Sequence, residues 1–210
     1  MLILLGIAVS AFLVGLSGAL APGPVLVVAI NHSIQQGFKA GPLIVVGHGI
    51  LEVNIVALIA LGFDRYVKDP TVVAMVGIIG GLVLLWMGTG MLRNVRKLSM
   101  SFMGNGKTGV GPVASGFLSS ASNPYFIIWW ATIGITFITR ALQYGLLGLL
   151  VFYVGHILSD FVWYSFVSGA ISKGKERISD RIYRGLVLVC GIFLVGFGLY
   201  FGTSGVRFLL

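Results

Sequence analysis

Apolar stretches of about 20 residues recur along almost the whole of this chain, and that pattern leaves few folds open. Backbone inside a bilayer must satisfy its own hydrogen bonds, so such stretches are helices. Only 10% of the 210 residues are charged and 57% are apolar, whereas soluble domains carry roughly a quarter charged residues. Mean hydropathy is +1.02. The sequence therefore predicts an all-α integral membrane protein, with no segment long and polar enough for a separate soluble domain. The net charge of +8 is not a nucleic-acid footprint, because the basic residues sit in short connections rather than in one patch. Cys190 stands alone, which excludes an intrachain disulfide and a CxxC redox motif.

Six spans are expected. The first runs from about Leu2 to Ile34 and is interrupted at Ala21-Pro22-Gly23-Pro24; the second covers Pro42 to Gly62 and the third Val72 to Arg93. A loop rich in glycine and basic residues, Asn94 to Gly111, joins the halves. The fourth span covers Pro112 to Ile138, interrupted at Asn123-Pro124; the fifth Tyr144 to Ala170; the sixth Gly185 to Gly205. Ala19-Leu20-Ala21 resembles a signal-peptidase site. No basic stretch precedes it, Pro22 would follow the cut, and the apolar run continues to Ile30, so this segment is read as a retained first helix.

Two of the six acidic residues lie inside apolar runs, each four residues after a histidine: His48 and Glu52, then His156 and Asp160, with an offset of 108. An intramembrane carboxylate is a functional-site hypothesis by default. Other features repeat too. Pro24 matches Pro124, each in a break that follows a Ser-Gly pair (Ser17-Gly18 and Ser115-Gly116), and Gly81 and Gly88 match Gly191 and Gly198. The expected organisation is a first three-helix repeat over 1–97, a cytoplasmic linker over 98–111 and a second repeat over 112–210. Units with an odd number of spans enter the membrane from opposite sides, so the repeats are expected to be inverted, with helices 1 and 4 broken. Ten Lys or Arg residues fall in connections one, three and five: Lys39; Arg93, Arg96, Lys97 and Lys107; Lys173, Lys175, Arg177, Arg181 and Arg184. Arg65, Lys68, Arg140 and Arg207 fall on the other side. The ten-residue side should be cytoplasmic and both termini extracytoplasmic.

These features nominate a site. Prolines flanking a glycine remove an amide and force carbonyls out of the helix, and freed backbone groups at membrane depth survive only inside protein or beside a cavity. Half-helix amino ends attract anions such as a carboxylate. Pro22, Gly23, Pro24, Asn123 and Pro124 are the break candidates, with Ser119, Ser120 and Ser122 nearby. Spacing at i and i+4 stacks His48 over Glu52 and His156 over Asp160; such pairs can exchange a proton, neutralise an ammonium or ligate a metal. A simple kink and an interhelical hydrogen bond are the structural alternatives. Asn54 lies about 200° round the helix from Glu52 and should face a different neighbour. The repeated glycines read as close-packing surfaces. Trp86, Trp129, Trp130 and Trp163 read as packing or interfacial residues, and Asp64, Arg65, Lys68 and Asp69 as a solvated loop cluster.

The chain resembles the lysine-exporter (LysE/RhtB) family of amino-acid efflux proteins. The resemblance rests on length, six spans, Pro22-Gly23-Pro24 after Ser17 to Ala21, then Gly37 to Gly41, Gly47 to Glu52, and Asn123-Pro124. It covers essentially the entire chain. Family members usually carry aspartate where Glu52 stands, so the longer side chain is a departure that keeps the charge. The resemblance implies export of amino acids or related small solutes driven by a proton or sodium gradient, from the cytoplasmic membrane. No cofactor is expected. The expected partners are a small-molecule substrate and the lipid bilayer, no nucleic acid, and a homo-oligomer is compatible. The first rival is a divalent-cation exporter with His48, Glu52, His156 and Asp160 as ligands. The second, an intramembrane enzyme, has poor support: neither HExxH nor GxSxG is present.

Overall fold

Proline placement organises the helices. The computed structural model describes residues 1–63, 69–98, 109–174 and 179–209. In chain order the helices are α1 (Leu2–Ala19), α2 (Pro24–Gln36), α3 (Ala40–Leu58), α4 (Pro70–Asn94), α5 (Pro112–Ala121), α6 (Pro124–Trp129), α7 (Ile135–Leu142), α8 (Gly145–Gly174) and α9 (Asp180–Leu209). Pro24, Pro70, Pro112 and Pro124 each stand at the start of a helix, where the missing amide costs nothing because no carbonyl lies one turn back to receive it. Asp69 caps α4 by accepting from Thr71 N and Val72 N at 2.9 and 3.2 Å. A 3₁₀ turn, Gly37–Lys39, joins α2 to α3; Gly37 has φ +73°, a conformation that a Cβ disfavours. A wide turn, Trp130–Gly134, joins α6 to α7.

Among the described residues, six helical stretches are long and apolar enough to cross a membrane: Leu2–Ala19, Pro24–Gly62, Ala74–Lys97, Tyr125–Leu142, Gly145–Gly174 and Asp180–Arg207. They differ in two respects from the sequence expectation. The expected first span reached Ile34, but α1 alone has span length and α2 belongs to the same continuous apolar stretch as α3. Likewise α5, at 10 residues, is shorter than a bilayer requires. Arg65, Lys68, Lys107, Lys175 and Arg177, the Asp64 to Lys68 part of the loop cluster, and most of the expected linker lie outside the described residues.

Helical geometry stops at Ala19 and resumes at Pro24. Gly23 is extended (φ −160°, ψ −170°), and Pro24 has no N–H to give to Leu20. The second interruption lies at Ser122-Asn123, where Asn123 caps α6 by accepting from Tyr125 N at 3.2 Å. Tight packing then pairs the helices. A Cβ on Gly47 (α3) would overlap the Val113 carbonyl oxygen (α5), and one on Gly155 (α8) would lie 2.5 Å from that of Ala8 (α1). Gly41 of α3 abuts the Tyr164 carbonyl of α8. The longest interface joins α4 and α9 through Gly81 against Gly198 and Gly88 against Gly191, antiparallel, as the glycine spacing suggested.

Three successive residues of α2 bind three different helices. Tyr183 Oη of α9 donates to Asn31 Oδ1 at 3.1 Å; His32 Nε2 and Ser115 Oγ of α5 are 3.0 Å apart; Ser168 Oγ of α8 lies 2.7 Å from Ser33 Oγ. His32 and Ser33 are buried.

Candidate functional site

The centre of the bundle holds the four His-acid residues together. His48 and Glu52 project from α3, His156 and Asp160 from α8. All four are at least nine-tenths buried. His48 Nε2 lies 3.1 Å from Glu52 Oε1, as the i, i+4 spacing implied. The second pair behaves differently from the sequence expectation. His156 Nε2 reaches across to the same Glu52 Oε1 at 2.9 Å, and Asp160 Oδ2 faces His48 Nε2 at 3.9 Å. The side chains thus meet across two helices, because α3 and α8 pack closely enough at Gly41 and Gly49 for their polar faces to oppose.

Hydrogen bonding orients this cluster. Ser120 Oγ lies 2.8 Å from Gly116 O and 2.6 Å from His48 Nδ1, so Nε2 is the nitrogen that His48 presents to the acids. Rings enclose both histidines: Phe126 meets His48 edge-on at 5.1 Å, and Trp129, Trp130 and Phe152 surround His156 at 4.9, 5.1 and 5.9 Å. Three buried polar atoms of this cluster have no hydrogen-bond partner: Glu52 Oε2, Asp160 Oδ2 and His156 Nδ1. An unpaired buried charge costs several kcal/mol unless something else pairs it, so these atoms mark where a ligand, water or cation belongs.

The same cluster lines a cavity of about 60 Å³. Pro22, Gly23 and Asn123 line it as well, and a Cβ on Gly23 would lie 3.8 Å from Asn123 Nδ2. The two interruptions therefore meet each other beside the His-acid cluster. Pro24 is buried at the start of α2 and is not part of the wall; Pro124 begins α6, and its side chain lies outside the described set. Ser119 and Ser120 are buried, while Ser122 is exposed and bonds its own helix at Leu118 O. Asn54 also faces outward and bonds its own helix, at Ile50 O, rather than meeting another helix. His48, Glu52 and Asp160 each offer an atom within 4.8 Å of the others, a mixed imidazole and carboxylate set that also suits a divalent cation.

The chain matches the LysE type translocator family over residues 16–205. This protein belongs to the LysE type translocators. Over 208 residues, 98% of this chain and all of the other, the translocator is 29% identical to a Bacillus subtilis protein named "Putative amino acid efflux protein YcgF". It is 24% identical to the chemotactic transduction protein ChpE of Pseudomonas aeruginosa, over 92% of this chain and 96% of that one. It is 27% identical to the membrane protein PA4757 of the same organism, over 88% and 89%. No solved structure matches. Family membership makes the chain a multi-pass membrane transporter and not an enzyme.

Several residues of this translocator's site were not nominated by sequence. Tyr125, Phe126 and Tyr164 line the cavity, and Trp129 and Trp130 are packing residues, as expected, but pack on His156. Trp86 is 76% exposed on the outer face. His32 was also missed: it has no counterpart in the second half, so the repeat gave no signal. The run Asn31-His32-Ser33 within apolar surroundings could have revealed it.

Proposed function

We propose that this translocator exports a small amino-acid-like solute from the cytoplasm, in a gradient-driven cycle coupled to protons. One observation carries the reading: both helix interruptions and all four His-acid residues border a single buried cavity. An ammonium would bind at the carboxylates. The solute's carboxylate would bind at the amino end of α2, where Gly23 supplies no side-chain cap, Pro24 has no amide and Val27 N bonds Gly23 O, leaving the Val25 and Leu26 amides for it. Glu52, held between His48 and His156, would carry the coupling proton. The electrical drive is about 2.3 kcal/mol per charge per 100 mV, enough for modest accumulation without ATP.

Inverted repeats complete the proposal, and four contacts support them. Gly81 packs on Gly198 and Gly88 on Gly191; moving each by the repeat offset of 110 exchanges one pair for the other, as a two-fold axis in the membrane plane would. The contact of Gly47 with Val113 O has its counterpart in Gly155 with Ala8 O. In this reading α1 with α2, and α5 with α6 and α7, are the two broken helices. The basic bias places both termini outside the cytoplasmic membrane.

Proteoliposomes loaded with labelled amino acids test the function. Efflux of at least one amino acid, accelerated by an imposed proton gradient, is expected; efflux that ignores the gradient would remove proton coupling. A second reading, divalent-cation export, is favoured by the His48, Glu52 and Asp160 donor set. Zinc or manganese efflux, with no amino-acid efflux in the same vesicles, would replace the first reading with the second.

A further inference from the structure

We infer that the cavity selects α-amino acids with a small, uncharged side chain and rejects lysine and arginine. This rests on the amino-acid export reading and narrows it.

Charge places one ammonium and no second. Glu52 and Asp160 are the acids that line the cavity among the described residues. Glu52 Oε1 is engaged by two imidazoles at 3.1 and 2.9 Å. Glu52 Oε2 and Asp160 Oδ2 are buried without a hydrogen-bond partner, and Asp160 Oδ2 has only His48 Nε2 nearby, at 3.9 Å. A primary ammonium has three donors and can satisfy both oxygens at once. The amino end of α2 lies on the same cavity, with Val25 and Leu26 in its wall, and suits the carboxylate of the same molecule. A zwitterion is thereby held at both ends.

A basic side chain would find nothing comparable. Beyond the cluster the wall has the neutral polar groups of Asn123, Tyr125 and Tyr164, is otherwise apolar or aromatic, including Phe126, Phe193 and Leu194, and holds no further carboxylate among the described residues. The tryptophan faces that could attract a cation are turned to His156, Trp129 tilted against it by 32°. A second ammonium would sit in hydrocarbon beside two imidazoles, with no carboxylate to pair it.

Size points the same way. A water needs at least about 10–15 Å³ of such space, so 60 Å³ takes a short side chain more readily than the long stem of lysine or arginine. Gly15 and Gly18 already keep one wall free of side chains: a Cβ on Gly15 would lie 2.7 Å from His156 Nδ1, and one on Gly18 3.2 Å from Trp129 Nε1.

The test is exchange of labelled alanine, serine, threonine, leucine, phenylalanine, lysine and arginine across proteoliposomes holding the full chain. Alanine, serine and threonine should exchange at least tenfold faster than lysine or arginine. N-acetylalanine, which lacks the ammonium, should not compete with alanine, whereas unlabelled serine should. Lysine exchange equal to or faster than alanine exchange would overturn the inference and leave the export reading standing. Exchange of none of the seven would overturn the export reading and the inference with it. Asp160→Asn should abolish alanine exchange in protein that still elutes as a single species. If that variant exchanges alanine at the parent rate, the ammonium site is elsewhere. If it does not fold, the alanine-to-lysine ratio of the parent still decides.

Discussion

A single hydroxyl sets the chemistry of His48. Ser120 Oγ holds one ring nitrogen, Nδ1, so the other faces Glu52 and Asp160. Ser120→Ala removes that constraint. It should lower stability by about 1 kcal/mol and slow efflux several-fold, read as a thermal-melting shift and an initial rate in proteoliposomes; an unchanged rate would make Ser120 purely structural. Glu52→Gln is more severe. An amide oxygen can still accept from both histidines, but it carries no charge and takes up no proton, so efflux should fall to background. Stability should drop by roughly 1–3 kcal/mol, with membrane insertion intact. Wild-type efflux from this variant would move Glu52 out of the transport site. At this scale the sequence was informative about identity and not about pairing. Two acids in apolar runs announced themselves by cost, and His48-Glu52 followed from helical spacing. That His156 would bind Glu52 depends on how α3 meets α8, which no local pattern encodes.

Among the elements, α2 carries the clearest test. Its start is defined by an extended Gly23 and a proline without an amide. Pro22→Ala/Pro24→Ala lets α1 run on into α2, because alanine restores the bond to Leu20 and is the best helix former. The variant should insert and melt no lower than the parent, yet neither bind nor export the solute; retained efflux would reduce the interruption to a packing kink. A second test concerns close approach. Gly47→Ala places a Cβ on the Val113 carbonyl, so α3 and α5 must separate, at a cost of about 1–3 kcal/mol measurable by thermal unfolding in detergent. Helix number and most boundaries were legible from hydropathy and proline. The continuity of α2 with α3 in one apolar helical stretch was not, because Gly37 to Gly41 reads as a break between spans.

For the whole molecule, the basic bias fixes the expectation that both termini are extracytoplasmic. With Cys190 replaced, cysteines at positions 2 and 203 should react with an impermeant reagent in intact cells; protection at both, relieved on lysis, would invert the topology. The class of fold was readable because a bilayer allows so few. The cavity was not, since it arises where two distant interruptions meet. The three bonds from Asn31, His32 and Ser33 bear on how such a bundle moves. Successive helical residues point about 100° apart, so α2 is moored around most of its circumference. A rod tied on one side can lean by degrees. One tied on three sides stays where it is until several moorings release together, which makes its rearrangement a switch with two settings instead of a graded drift.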